Sequence, residues 1–428
     1  MKNSFFKTTI ILLFGGAITK ILGMIIKIAT TRVIGLQGMS LYMLIFPTFA
    51  LFMTLSQFSF STSLSKLVAE EKYNNKDLLF SIIPISLLLN FFLFIMVFIS
   101  APFISDLLKN SNSYLPILAI SFVLPFDCLS SILRGYFFGK QRMFPHILSL
   151  IIEQIVRFIL IIFIIPFLLD KGIVIAVTGL VLVNIFSELS SSIVLILFLP
   201  KYSFSIKDFK PKKDEVSSIL KIAIPNTTSR IIGSICYFLE PIIISLTLTY
   251  SGYSNIFIMN EYGIIEGYVL PLLSIPSFFS NALNSALIPN ISNAYAKGNI
   301  LYVKKKLLST LKISISIGLI FSLLLMINPK IYLKFIYGIS VGSSYVRVLS
   351  PFFLFLYFQN TFEAVLLSIN KSKSLMINNI FGSIIKIVLI IFLGFFKIGL
   401  YNLVIAIIVS IIFVTILDYL IIKKEILN

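Results

Sequence analysis

Leu78–Ile104 reads LLFSIIPISLLLNFFLFIMVFISAPFI, 27 residues without one Asp, Glu, Lys or Arg. Wound as a helix, this stretch is about 40 Å long and more than spans the ~30 Å hydrocarbon core of a bilayer. Stretches of the same kind fill the chain on both sides of it. They are Phe5–Val33, Leu41–Leu67, Leu115–Phe137, Ile147–Leu169, Ile173–Leu199, Ile219–Thr249, Tyr262–Ile288, Leu307–Ile327, Val346–Leu367, Leu375–Phe396 and Leu400–Ile422. Together they predict about twelve membrane-crossing helices, several long enough to tilt or to carry an interfacial turn. Composition agrees: 58% of the 428 residues are hydrophobic, 12% are charged, and mean hydropathy is +1.03. A soluble domain could not hide that much apolar surface. The expected fold is an all-α, multi-pass membrane protein.

The charges give an orientation. With the N-terminus inside, about 22 of the 35 Lys and Arg fall in cytoplasmic segments, about seven outside and about six within the membrane. The inside set holds Lys66, Lys72 and Lys76, then Arg134, Lys140 and Arg142, then Lys201–Lys213. Lys297, Lys304–Lys306, Lys371, Lys373 and Lys423–Lys424 complete it, so both termini are expected to be cytoplasmic. The net charge of +18 is then a topology signal plus attraction to anionic headgroups. Binding of nucleic acid would need a folded basic domain, and no segment offers one. The first span does not read as a cleaved signal peptide, because its apolar run continues past Lys20 and Lys27. Cys128 and Cys236 lie in separate predicted helices and read as small apolar filler. His146 has no other histidine beside it in the sequence, so no metal site and no cofactor are expected.

The longest hydrophilic segment, 200–218, divides the chain into an N-terminal six-helix lobe (1–199), a cytoplasmic linker and a C-terminal six-helix lobe (219–428). Six is even, so duplicated lobes would enter the membrane in the same direction, as parallel repeats about a pseudo-two-fold along its normal. Thr19-Lys20-Ile21-Leu22-Gly23 matches Ser229-Arg230-Ile231-Ile232-Gly233, and each match precedes a span carrying a Tyr and a Pro: Tyr42 and Pro47, then Tyr268 and Pro271. Duplication is the better reading of these ordered matches.

A charge at bilayer depth is costly unless it meets a partner or a wet cavity, so intramembrane charges are the first functional candidates. The cations are Lys20, Lys27, Arg157, Arg230, Lys312 and Lys386; the acids are Asp127, Glu153, Glu188, Glu240, Glu266 and Glu363. Lys20 and Arg230 hold repeat-equivalent positions. Aimed at one cavity, they would suit a phosphate or pyrophosphate; the alternative for Lys27 and Arg32 is snorkelling to a headgroup. Glu153 and Arg157 stand at i and i+4 and can pair, as a structural or a substrate-facing couple. Glu240, just before Pro241, reads as a proton or coupling-cation site or as a counter-ion for Arg230. Gln57 with neighbouring Ser and Thr, and Asn281 and Asn284 in the eighth span, would line a wet wall or fasten helices together. No phosphate-binding loop, zinc signature or Ser–His or Cys–His pair is present, so no enzyme is expected.

Leu133-Arg134-Gly135-Tyr136-Phe137-Phe138-Gly139, Met143-Phe144-Pro145 and Glu153-Gln154-Ile155-Val156-Arg157 resemble a signature of the form RGYFQG…M-P…EQ-x-x-R, with Phe138 in the place of Gln. That signature belongs to the stage V sporulation protein B-like polysaccharide biosynthesis family, within the multidrug/oligosaccharidyl-lipid/polysaccharide exporter superfamily. Ile18–Gly23, Thr31–Gly35, Ser65–Glu70, Ala286–Ser292 and Ile369–Lys373 fit it as well. The resemblance implies two six-helix lobes, MATE-like, that alternate between inward and outward openings. It implies a flippase for undecaprenyl-pyrophosphate-linked saccharides in cell-wall, spore-cortex or polysaccharide synthesis. Lys20 then stands where the family has Arg, keeping the charge and losing the two-pronged fork. The implied partners are the lipid-linked saccharide, membrane lipids and a possible coupling cation. Two rival readings stand beside this one: a cation-coupled multidrug exporter of the same superfamily, and a non-transporting scaffold in envelope assembly.

Overall fold

The computed structural model describes residues 2–200 and 211–427, with side chains from residue 14 onward except at positions 229, 278, 279, 281, 282, 285, 286 and 289. Every regular element among them is helical. The chain divides into two compact units, Met1–Phe238 and Leu239–Asn428.

The first unit opens with α1 (Lys2–Gln57), which runs through two of the expected spans. Hydropathy predicts a break between Val33 and Leu41. The structure has only a kink there, at Gly35 with φ 65° and ψ −171°, a conformation open essentially to glycine alone. The break comes later, where Phe58 and Ser59 both take positive φ and deflect the chain into α2 (Phe60–Glu70). Hydropathy does not mark it because Leu55–Leu67 mixes Leu and Phe with small Ser and Thr on both sides of the turn, with no Pro or Gly in it.

There follow α3 (Asn75–Leu107), α4 (Tyr114–Gly139), α5 (Met143–Leu169) and α6 (Ile173–Phe198). The Asn74 side chain caps α3 by accepting from the Lys76 amide. α4 packs on α2, α3 and α6, and α6 packs on α5. In lipid, close approach of backbones does the work that hydrophobic burial does in water. The α2–α4 seam shows it: a Cβ at Gly135 or Gly139 would run into the backbone of Ser61 or Ser65. On the outside, α3 leaves Leu88, Phe91, Phe92 and Ile99 exposed, an apolar face suited to lipid.

α7 (Lys213–Tyr250) carries the unit boundary within it. The second unit continues with α8 (Asn255–Ile264), a wide turn at Ile265–Val269 and α9 (Leu270–Ser274). Next are α10 (Ser277–Ala296), α11 (Ile300–Ile327), α12 (Pro329–Tyr337) and α13 (Ser343–Leu349). α14 (Phe353–Ser368), α15 (Ser372–Gly394) and α16 (Tyr401–Ile422) complete it. The eighth expected span is therefore two helices with a bend at Ile275–Pro276, and the tenth is shortened by a turn at 350–352. Lys371 donates to Glu425 at 2.8 Å, fastening the C-terminal turn. That hydrogen bond holds the Lys371 amine above the ordinary lysine range.

The second unit repeats the packing of the first. α14 packs on α10, α11 and α16, and α16 packs on α15, just as α4 packs on α2, α3 and α6, and α6 on α5. Ten helical runs among the described residues are long and apolar enough to cross a membrane, and the first, Phe14–Glu70, has 57 residues, enough for two crossings.

Candidate functional site

In the first unit, α4, α5 and α6 bring three of the expected intramembrane charges, Glu153, Arg157 and Glu188, into contact with Arg134. Arg134 Nη2 donates to Glu153 Oε2 at 2.6 Å, to Glu188 Oε2 at 2.9 Å and to Ser191 Oγ at 2.9 Å. Arg157 Nη2 donates to Glu153 Oε1 at 2.7 Å and lies 3.6 Å from Glu188 Oε1. Two guanidiniums thus face two carboxylates in a closed quartet, with Glu153 only 4% and Glu188 only 3% exposed. Ser130 Oγ also donates to Glu188. Such a quartet is neutral, and its hydrogen bonds are what make burial of four charges tolerable.

The pairing of Glu153 with Arg157 follows from their i, i+4 spacing. The charge pattern groups Arg134 with Lys140 and Arg142 at the end of the fourth span. In the structure its guanidinium takes part in the buried quartet. The signal that would have found it is Ser130–Arg134, one helical turn apart and facing the same way as Asp127.

Asp127, 3% exposed, stands beside the quartet and takes a hydrogen bond from Gln57 Nε2 at 3.0 Å. Gln57 Oε1 accepts in turn from Arg230 Nη2 at 3.4 Å. One turn away, Thr54 Oγ1 and Ser234 Oγ are 3.0 Å apart, so two polar contacts lay α7 along the end of α1. Arg230 itself is exposed. Lys20 and Arg32 on α1 are exposed and Lys27 is half-buried. Seven residues apart, Lys20 and Lys27 share one face of the helix to within about 20°, whereas Arg32 is turned by about 140° from Lys27. The charge of Arg134 and Arg157 is answered internally by Glu153 and Glu188.

The polar residues of the second span divide by role. Ser56 Oγ donates to Asn90 Oδ1 and to the Leu124 carbonyl at 2.6 and 2.9 Å, which fastens helices; Gln57 joins the site. In the eighth span Asn284 Nδ2 donates to the Asn360 carbonyl at 2.9 Å, again a fastening, and the Asn281 side chain lies outside the described residues.

The second unit has its own polar interior. Glu240 is fully buried and ion-paired with Lys386, so its counter-ion is Lys386 rather than Arg230. Lys386 also borders a cavity of about 330 Å³ with Glu266, Gln359, Asn379 and Ser383. Glu363 Oε1 accepts from Gln359 at 3.1 Å and from Asn379 at 3.4 Å. Among the described residues no three of His, Cys, Asp and Glu are grouped to hold a metal ion.

A family model described as Polysaccharide biosynthesis protein matches residues 5–295, and one described as MatE matches residues 266–392. The chain is 32% identical to Stage V sporulation protein B of Bacillus subtilis over 99% of its own length and 84% of the relative's. It is 23% identical to the Lipid II flippase MurJ of the same organism, over 91% of this chain and 77% of that one. Among solved structures, the inward-facing conformation of a multidrug resistance MATE family transporter of the MOP superfamily superposes with a TM-score of 0.73. That match has 17% identity and covers 95% of this chain and 94% of the other, a likeness of fold. With the family match covering more than half of the chain and a relative above 30% identity along nearly all of it, the chain belongs to the polysaccharide biosynthesis protein family and has the all-α, multi-pass membrane fold of MATE transporters.

Proposed function

We propose that the protein is a flippase that carries undecaprenyl-pyrophosphate-linked saccharides across the cytoplasmic membrane by alternating access. Both termini are cytoplasmic, and residues 200–218 link lobes 1–199 and 219–428. The observation that carries the reading is the sorting of cations in the first unit. Arg134 and Arg157 are neutralised in the buried quartet, whereas Lys20 and Arg230 are exposed on the two helices whose sequences match. A pyrophosphate drawn unaided through hydrocarbon meets a prohibitive loss of hydration. Lys20, Lys27 and Arg230 replace that hydration with charge-assisted hydrogen bonds, and Arg32, on another face of the same helix, adds positive charge nearby. The polyprenyl tail stays in lipid. No bond is made or broken, so the protein needs no catalytic residue and no cofactor.

The named relatives support this reading: one is a sporulation protein of the same family, the other a flippase for lipid II. A multidrug exporter of organic cations would want a free intramembrane acid. Glu240, the first choice for that role, is instead held by Lys386.

The test is headgroup translocation in proteoliposomes holding an undecaprenyl-pyrophosphate-linked saccharide, with an added enzyme that modifies only exposed headgroups. The wild type is expected to make the inner pool accessible rapidly. Lys20→Ala/Arg230→Ala, inserted to the same level, is expected to lose at least tenfold in rate. Equal, slow modification by both proteins would refute the assignment.

A further inference from the structure

Among the groups joined to the buried quartet, Asp127 differs in what compensates it. Glu153 and Glu188 each face two guanidiniums, whereas the partner at Asp127 Oδ2 is the neutral amide of Gln57. Counted together, Asp127, Glu153 and Glu188 are three carboxyls against the two guanidiniums of Arg134 and Arg157. The third cation, Arg230, reaches this cluster through Gln57 and is exposed at its other end.

The orientation of the Gln57 amide follows from its neighbours. A guanidinium can only donate and an ionised carboxylate can only accept. Nε2 must therefore face Asp127 and Oε1 must face Arg230, as they do. A protonated Asp127 becomes a donor. The amide is then free to turn over, giving Oε1 to the Asp127 hydroxyl and its two N–H groups to whatever stands at Arg230.

We propose that Asp127 takes up one proton from water when a diphosphate diester binds at Arg230. The anion draws Arg230 away from the cluster electrostatically, and the surplus carboxyl is neutralised in compensation. The turned-over Gln57 amide then adds a donor to the phosphate. This rests on the assignment of Arg230 as an anion-binding residue. By linkage, the same coupling makes diphosphate binding tighter as pH falls. The other titratable or charged groups facing the site are Tyr42 on α1, Arg134 on α4, His146, Glu153 and Arg157 on α5, and Glu188 on α6.

The experiment is calorimetric titration of the full-length protein in phosphatidylcholine nanodiscs with farnesyl-diphospho-N-acetylglucosamine. As a diphosphate diester, this probe keeps a constant charge across neutral pH. Runs in Tris and in HEPES, whose heats of ionisation differ, count the protons taken up per ligand. The wild type is expected to take up about one, with Kd rising about tenfold per pH unit above its transition. Asp127→Asn is expected to bind with no uptake and with a Kd that is flat in pH. If that variant does not fold, Gln57→Leu, which severs the relay, is expected to abolish most of the uptake. Wild-type binding without proton uptake would overturn the coupling and leave the anion site standing. Full uptake in Asp127→Asn or in Gln57→Leu would overturn it too, as would uptake lost only in His146→Asn. No binding by the wild type, or unchanged binding by Arg230→Ala, would instead refute the anion site and the coupling with it.

Discussion

Glu240 is sealed from solvent with Lys386 against it, so loss of the lysine leaves a carboxylate with no compensating charge at that contact. Lys386→Met is expected to destabilise the protein by about 3–5 kcal/mol in an unfolding titration with SDS. Glu240→Gln/Lys386→Met should recover most of that loss, since a neutral pair has no charge to desolvate. A double variant as unstable as the single would show that the lysine stem, not its charge, holds the site. Arg134→Leu should behave like Lys386→Met, because it leaves Glu153 and Glu188 sharing one guanidinium. Arg230→Ala, on an exposed side chain, should shift stability by no more than about 0.5 kcal/mol. At this scale the sequence exposed pairs formed within one helix. Glu153 and Arg157 are visible because four residues is one turn. Partnerships across helices, such as Arg134 with Glu188 or Glu240 with Lys386, depend on packing that no local spacing encodes.

α2 and α4 meet with no side chain between them at two places. Gly135→Ala and Gly139→Ala each put a methyl group into backbone of the facing helix, which cannot swing aside as a side chain would. Each is expected to cost about 1–3 kcal/mol. Gly233→Ala on α7, where nothing stands within 4 Å, is the control and should be neutral or up to about 1 kcal/mol stabilising through helix propensity. Equal melting shifts at all three positions would remove the close-packing explanation. The helices themselves were legible from hydropathy because lipid demands about twenty apolar residues per crossing. Most breaks between spans were legible in the same way, the gap after Val33 excepted; the breaks inside spans were not, apart from the bend that Pro276 could have marked. Phe58–Ser59 turns the chain by backbone torsion alone, which leaves no mark on polarity.

Across the molecule, the likeness between Thr19–Gly23 and Ser229–Gly233 is faint in sequence, whereas a likeness in packing is clear: α4 is the hub of the first unit and α14 of the second. Packing outlasts sequence because many apolar residues satisfy the same contact. Residues 200–218 are the longest hydrophilic stretch, yet the division between the compact units falls inside α7, since it follows contacts between helices rather than polarity. An inside-negative potential drives an anion outward with ~2.3 kcal/mol per charge per 100 mV, a factor of up to about fifty in rate. Imposing one on proteoliposomes should accelerate outward flipping by the wild type. A rate indifferent to potential would mean that the headgroup crosses as a neutral complex. The long first helix adds a mechanical consequence. From Gly35 to Gln57 is a helical arm of about 33 Å with Pro47 inside it, and a turn of about 10° at the glycine, carried along the arm as one body, sweeps its tip through about 6 Å. No hydrogen bond stretches that far. A small rotation at one end of such a lever would act as a clutch at the other, releasing Gln57 from Asp127 and Arg230 in a single stroke.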